Sequence, residues 1–201
     1  RRQRQMCIRD SDNRGLVSVD ALKEALDEET ILVSVMLVNN EIGTIEPVEK
    51  IGKIVKDYNK DIIFHVDAIQ AYGKMRIYPK KMNIDLLSVS GHKIHGPKGT
   101  GFLFIKDKTK IKPLILGGGQ QRAMRSGTEN VPGIAGLGKA ASVCCIILYN
   151  KISKSLCCLS YSINIHSVCT ISNYTSKTAC TKFKIFIKTI FYLCFITSYR
   201  F

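Results

Sequence analysis

A lysine and an aspartate stand in unusual places in this 201-residue chain, each directly after a segment of apolar residues. Lys93 lies among serine, histidine and glycine residues in the segment 90–99, and Asp67 ends the apolar run 62–66. A lysine amine can form a Schiff base with an aldehyde, and a carboxylate can keep a ring nitrogen protonated. Each residue alone has an ordinary explanation, since most lysines are exposed and an aspartate at a strand end is usually a turn residue. Together they indicate chemistry on a ring that carries an aldehyde, and a lysine of this kind is expected to be buried.

Strand-like and helix-like segments alternate between residues 16 and 141 and predict the elements that must hold these two side chains. Ser18 is expected to cap a first helix, and Pro47 is expected to open a second one. The predicted strands are Thr30–Val38, Asp61–Val66, Ile84–Val89 and Gly101–Ile105. Strand–helix–strand order at this spacing predicts a three-layer α/β fold with helices on the faces of a mostly parallel sheet, whose strands are buried on both faces.

The predicted sheet also gives the place of the site. In open sheets of this kind, ligands bind at the carboxyl ends of the strands. Asn40, Asp67 and Lys93 each follow such an end. We therefore expect these three side chains to converge at one edge of the sheet.

The net charge of +14 does not predict a nucleic-acid partner. Half of that charge comes from residues 142–201, which contain seven Lys and Arg and no Asp or Glu. The other half is spread over residues 1–141, where both signs are mixed, and neither part has a groove-reading motif. A membrane span is not predicted either, because Lys184 and Lys188 leave only about ten uninterrupted apolar residues in Phe183–Tyr199, where a bilayer requires about 20.

The cysteines do not predict a metal site or a disulfide framework. One of the eight, Cys7, precedes residue 142, and the others are Cys144, Cys145, Cys157, Cys158, Cys169, Cys180 and Cys194. No pair has the spacing of a structural zinc site, and the basic N-terminal residues lead into no apolar run of a signal peptide. We therefore expect a reduced, cytoplasmic protein.

A change in composition near residue 141 predicts a domain boundary. All 15 glycines and all five prolines lie at or before Gly138, although a folded segment as long as 142–201 normally needs several for its turns. Residues 1–141 are therefore expected to form a partial large domain, and residues 142–201 a poorly packed tail. This tail is either an unrelated extension or the product of a frameshift, intron read-through or gene-model error.

Four motifs give the chain a family resemblance that extends from about Gly15 to Ala141. They are Val38–Thr44, His65–Ala71, Ser90–Gly99 and Arg125–Gly133, in family order and at family spacing. In these motifs the chain resembles the cysteine desulfurases of the class-V aminotransferase family, which supply sulfur for iron–sulfur cluster assembly. The resemblance implies an incomplete large domain of a transferase that depends on pyridoxal phosphate.

The resemblance gives Lys93 and Asp67 specific roles. Lys93 matches the lysine that holds pyridoxal phosphate covalently and moves a proton between the substrate Cα and the cofactor. Asp67 matches the carboxylate that binds the pyridine nitrogen. His65 is expected to pack nearby as a satisfied core histidine, and Lys98 to be solvated.

The same resemblance implies the remaining cofactor contacts. Asn40 and Gln70 match residues that hydrogen-bond the phenolic oxygen, and Ser90 and His92 match residues of the phosphate site. Thr128 matches a residue that reaches a phosphate bound by the neighbouring subunit, which implies a homodimer with shared sites.

The implied reaction converts L-cysteine to alanine and leaves a persulfide on an enzyme cysteine, from which a sulfur acceptor or scaffold protein of iron–sulfur assembly takes the sulfur. The chain does not match the family's first hundred or so residues, with their ring-stacking histidine. It also does not match the C-terminal domain, which carries the carboxylate-binding arginine and the nucleophilic cysteine. We therefore expect this chain to be inactive by itself.

Two alternatives stay open at this point. Another class-V relative, such as a selenocysteine lyase, shares the lysine and the aspartate, although His95–Gly99 and Arg125–Gly133 favour the desulfurases. A non-catalytic fragment or pseudogene product is the second alternative.

Overall fold

The computed structural model describes residues 11–156, except for the side chains of residues 146 and 149–156. By residue contacts, they divide into two compact units, 11–71 with 77–88, and 72–76 with 89–156. The helices and strands are α1 (Val19–Ala25), β1 (Leu32–Met36), α2 (Val48–Tyr58), β2 (Ile63–Asp67), β3 (Leu86–Ser90), β4 (Gly101–Ile105) and α3 (Val131–Leu156). Short 3-10 helices cover Gly91–Ile94 and Gln120–Ala123.

The strands form the mostly parallel sheet that the sequence predicts, in the order β1-β2-β3-β4. β1 pairs with β2 and β2 with β3, both in parallel. Val33 lies opposite Phe64, and Val66 lies opposite Leu87. The observed β1, β2 and β3 differ from the predicted strands only at their ends, where hydrogen bonding rather than hydropathy decides the boundary.

The first unit contains both predicted helices. Ser18 caps α1, since its Oγ accepts a hydrogen bond from the Ala21 amide at 3.2 Å. Gly52 of α2 lies so close to the Phe64 ring and the Met82 carbonyl that a Cβ there would collide with both. The apolar face of α2 is fully buried and consists of Val48, Ile51 and Val55. This face completes the core of the unit.

Only one face of the paired strands is buried, contrary to the expectation of burial on both. The buried face contains Val33, Phe64, Val66 and Leu87. On the other face, Leu32 is 51% exposed, Ser34 is exposed and His65 is half-buried. The physical reason is that polar side chains alternate with the apolar ones, and buried polar groups require hydrogen-bond partners.

In the second unit, α3 packs against the 3-10 helix Gly91–Ile94. Leu137 of α3 and Ile94 are both buried. A Cβ on Gly91 would lie 2.9 Å from the Leu137 side chain, so only glycine allows α3 to come this close. The ring of Tyr72 meets the edge of Phe102 with 5.1 Å between centroids.

α3 begins after Asn130, whose Oδ1 accepts a hydrogen bond from the Gly133 amide at 3.0 Å, and it continues past residue 141 to Leu156. The domain boundary at residue 141 stays a prediction. The rest of the predicted tail, including Phe183–Tyr199, lies outside the described residues. Among the helices that the structure describes, none is both long and apolar enough to cross a membrane.

Candidate cofactor site

Asp67 is the last residue of β2 and is fixed from both neighbouring strands. Its carbonyl accepts a hydrogen bond from the Leu37 amide at 2.8 Å, after β1. The amide of the next residue, Ala68, donates to the Ser88 carbonyl of β3 at 2.9 Å. The Asp67 side chain then closes a turn, because its Oδ1 accepts from the Ile69 amide at 2.8 Å. Backbone and carboxylate are therefore both held in place before any ligand binds.

The geometry of the Asp67 carboxylate fits a protonated ring nitrogen. Asp67 is half-buried, and within residues 11–156 its Oδ2 makes no hydrogen bond and neither oxygen has a cationic partner. A half-buried carboxylate with one unused oxygen favours a cationic N–H donor, because charge-assisted hydrogen bonds are the stronger ones. Gln70 lies three residues further on in the same turn and is also half-buried.

Asn40 belongs to an exposed turn of the first unit. Its amide nitrogen donates to Glu41 Oε1 at 2.6 Å. The preceding Asn39 organises the turn, since its Oδ1 accepts hydrogen bonds from the amides of Glu41 and Ile42. The described hydrogen bonds do not connect Asn40 with Asp67 or Gln70.

Lys93 is exposed, which corrects the expectation that it is buried. The cause is the 3-10 helix, in which residues three apart share a face. Gly91 and Ile94 are the buried pair, so His92 and Lys93 project outward. His95 ends the turn in a left-handed conformation with φ 63°, and Lys98 beyond it is exposed, as expected.

Ser90 and His92 lie beside Lys93 in the second unit and contact each other. Ser90 Oγ and His92 Nδ1 are 2.7 Å apart, within hydrogen-bond distance. This contact leaves His92 Nε2 for another group. A hydroxyl and an imidazole at the start of this turn suit an anion such as phosphate.

Thr128 is exposed and follows a loop that is held by hydrogen bonds between its own residues. Ser126 Oγ donates to the Gly118 carbonyl at 2.8 Å, and the Gly127 amide donates to Gln120 Oε1 at 3.2 Å. Arg125 Nη1 donates to the Ser126 carbonyl, while its Nε is buried with no hydrogen-bond partner among the described residues. The assignment of Thr128 to a neighbouring subunit stays a prediction.

Asn40, Asp67 and Gln70 thus lie in the first unit, and Ser90, His92, Lys93 and Thr128 lie in the second. The expected convergence of Asn40, Asp67 and Lys93 at one sheet edge stays a prediction.

His65 has partners that the sequence does not reveal. Its Nδ1 lies 2.8 Å from Ser34 Oγ on β1, and its Nε2 lies 2.7 Å from Ser88 Oγ on β3. Burial lowers the pKa of His65 below its ordinary value, while the negative charge of Asp67 opposes this shift. Both ring nitrogens of His65 therefore have a hydrogen-bond partner, as expected of a satisfied histidine. The alternation of polar and apolar residues along the strands was the sequence signal for these contacts. It identifies Ser34 and Ser88 as partners of His65 only when the strand register is known.

The two cysteines whose side chains the structure describes, Cys144 and Cys145, are half-buried free thiols on α3. Burial, and to a smaller extent Cys144, raises the pKa of the Cys145 thiol. A raised pKa reduces the thiolate fraction, so Cys145 is a poor nucleophile. Within residues 11–156, no cluster of His, Cys, Asp or Glu could hold a metal ion.

Comparison with known proteins identifies the class. The sequence pattern of the family described as "Aminotransferase class-V" matches residues 4–179, which is most of the chain. The chain belongs to this family. Class-V aminotransferases and their cysteine desulfurase members depend on pyridoxal phosphate.

Individual relatives point to one branch of the family. The chain is 59% identical over 129 residues to cysteine desulfurase IscS of Clostridium botulinum (strain Hall), covering 64% of this chain and 32% of that protein. It is 54% identical over 132 residues to the mitosomal cysteine desulfurase of Trachipleistophora hominis, covering 65% of this chain and 30% of that one. Its fold matches a solved NifS-like protein with a TM-score of 0.66 and 45% identity, over 72% of this chain and 41% of the other. The chain thus spans about a third of the length of the curated relatives it matches.

Proposed function

We propose that this chain carries the cofactor-binding part of a cysteine desulfurase, which removes sulfur from L-cysteine and gives alanine and a protein-bound persulfide. The observation that carries this proposal is the Asp67 carboxylate at the end of β2: one hydrogen bond to its Oδ1 and two bonds of the adjacent backbone fix it, and its other oxygen is unused within residues 11–156. The names of the similar proteins support the reaction, since both relatives above are cysteine desulfurases.

Asp67 and Lys93 have the central roles in the proposal. Asp67 binds the pyridine nitrogen and keeps its proton in place. Bound pyridoxal phosphate supplies an electron sink for the carbanion that forms when the substrate Cα loses its proton. Lys93 Nζ would hold the cofactor and would move a proton between the substrate Cα and the cofactor.

The other residues of the set orient the cofactor. Asn40 and Gln70 donate to its phenolic oxygen, since the Asn40 amide has a second N–H besides the one that it donates to Glu41. Ser90 and His92 bind the phosphate, for which their existing contact places a hydroxyl and an imidazole side by side. Thr128 reaches a phosphate of the neighbouring subunit in a homodimer.

The proposal extends to partners and location. A sulfur acceptor or scaffold protein of iron–sulfur assembly receives the sulfur, and a membrane or nucleic acid is not needed. We place the protein in the cytoplasm, where the reducing environment agrees with the free thiols of Cys144 and Cys145. Cell fractionation with an antibody against the chain tests this location, and recovery from an organelle would contradict it.

Covalent labelling tests the role of Lys93. The 201-residue chain, mixed with pyridoxal phosphate and reduced with borohydride, should gain one stable cofactor group on the peptide that contains Lys93. Lys93→Ala should abolish this labelling and the accompanying absorbance change. Lys98→Ala is the matched control, because Lys98 is also exposed and lies only five residues away. Equal labelling of both variants would show that the cofactor reacts with surface lysines at random, and the proposal would fail.

A further inference from the structure

Three polar side chains form a row across the exposed face of the sheet in the first unit. Ser34 on β1 is the direct register partner of His65 on β2. Ser88 on β3 completes the row, with His65 in the middle and hydrogen-bond distances of 2.8 Å and 2.7 Å on its two sides. Both nitrogens of the imidazole are therefore used, each by a different neighbouring strand.

The row is connected to Asp67 in two ways. His65 and Asp67 are two residues apart on β2, so their side chains share a face and lie about 7 Å apart along the strand. Ser88 is the register partner of Asp67 and accepts the Ala68 amide through its carbonyl. Ser88 thus contacts His65 through its hydroxyl and holds the turn after Asp67 through its backbone.

The surroundings of His65 favour its neutral form. A neutral imidazole has one donor and one acceptor nitrogen, and the two serine hydroxyls can satisfy either arrangement because each can donate or accept. Burial lowers the pKa of His65, and Asp67 is the charged group that opposes this shift. The neighbours on β1 and β3, Ser34 and Ser88, are uncharged.

The neutral state has a consequence for Asp67. A lysine, an arginine or a protonated histidine at position 65 would pair with the carboxylate and compete with a cationic ring nitrogen. A neutral imidazole held by two hydroxyls fills the same place without adding charge. The negative charge of Asp67 is thereby kept for its ligand.

We propose that His65 is a positioning residue that acts through Asp67: with Ser34 and Ser88 it ties β1, β2 and β3 together beside this carboxylate, and in its neutral form it preserves the charge that Asp67 presents. This proposal rests on the proposed function, because it takes Asp67 to be the residue that binds the ring nitrogen.

The first part of the test uses the cofactor-free chain. Nitrogen NMR of the labelled 201-residue protein follows the titration of His65. Its pKa should lie below that of an ordinary histidine, and Asp67→Asn should lower it further, because the negative charge that favours the protonated form is gone. Ser34→Ala and Ser88→Ala should each change the ratio of the two neutral tautomers. A His65 pKa that is the same with and without the Asp67 charge would overturn the proposal.

The second part measures the dissociation constant of pyridoxal phosphate by absorbance. His65→Gln keeps a donor and an acceptor and should bind nearly as the parent chain does. His65→Leu loses both and should bind about two- to tenfold more weakly, a factor of the size that the net contribution of a hydrogen bond predicts. His95→Asn is the matched control, since asparagine tolerates the left-handed conformation there. Thermal unfolding of each variant separates loss of positioning from loss of fold.

The outcomes distinguish the two proposals. If the parent chain binds no cofactor, the proposed function fails, and with it the role of His65. If the parent chain binds but His65→Leu binds equally well, or His65→Gln binds as weakly as His65→Leu, the positioning role alone is wrong. The positioning role is supported if His65→Gln binds the cofactor nearly as the parent chain does and His95→Asn leaves the dissociation constant unchanged.

Discussion

Removal of Asp85 should destabilise the first unit more than any exposed charge can. Asp85 and Lys56 form a buried ion pair between their Oδ2 and Nζ atoms, with side chains only 7% and 15% exposed. The Asp85 Oδ2 also accepts the Phe64 amide at 2.9 Å, which binds the segment before β3 to β2. Lys56 Nζ donates in addition to the carbonyls of Lys60 and Ile62.

The magnitude follows from what Asp85→Ala leaves behind. The ammonium of Lys56 would remain largely buried with carbonyl partners but no counter-charge, and the Phe64 amide would lose its acceptor. Breaking a buried pair from one side costs about 3–5 kcal/mol, because the remaining charge is desolvated without compensation. We therefore expect Asp85→Ala to lower the free energy of unfolding by about this amount.

Two further variants distinguish the effect of an unpaired buried charge from the general effect of removing a charge. The double variant Lys56→Met with Asp85→Leu removes both charges and should recover most of the loss, since apolar side chains can replace a buried pair at little cost. Lys81→Ala removes the exposed pair with Glu49, whose side chains are 69% and 54% exposed, and should change the free energy by no more than about 1 kcal/mol.

Equilibrium urea unfolding measures these free energies, and hydrogen exchange of the Phe64 amide reports the local effect. Protection of this amide should fall in Asp85→Ala. A loss below about 1 kcal/mol for Asp85→Ala, or a double variant as unstable as the single one, would refute the reasoning from buried charge.

Two further predictions concern alkaline stability and turnover. Burial, with smaller contributions from Cys145 and Cys144, raises the pKa of Tyr72 to about 12. Tyrosine in the unfolded chain ionises first, near pH 10. This contribution to stability is therefore complete below pH 10 and is lost as the pH rises toward 12. The loss should reach about 1 kcal/mol by pH 11. Tyr72→Phe should remove this loss in urea unfolding at pH 9 and pH 11, and an equal loss in both proteins would contradict it. The 201-residue chain with bound cofactor should not convert L-cysteine to alanine at a useful rate, because sulfur transfer needs a thiolate positioned at the substrate sulfur and such positioning lowers the barrier by several kcal/mol. Sustained alanine formation by the chain alone, measured by chromatography, would show that one of its own cysteines supplies that thiolate.

Much of the fold could be predicted because its signals are local. Apolar runs marked β1, β2 and β3 to within a few residues, and β4 at its observed ends. Ser18 was identified as a cap from residue type and position alone. Between β1 and β2 the strand–helix–strand order then required parallel pairing, because the crossover helix α2 returns the chain in the same direction.

The candidate site was only partly predictable. The motifs singled out Asp67 at a strand end and Lys93 in the turn after the next strand, since those residue types are unusual there. The exposure of Lys93 was not predictable from composition, because it depends on which two residues of a four-residue turn face α3.

The sequence by itself determined the family and the positions of the strands along the chain, and it nominated the residues of the proposed site, since each of these depends on motifs of a few neighbouring residues. Only the tertiary structure decided that Ser34, His65 and Ser88 form one row and that Lys56 pairs with Asp85. These contacts join residues that lie 23 to 31 positions apart in the chain, or 29 in the case of the ion pair. Strand register and helix placement bring them together, and no local pattern contains that information.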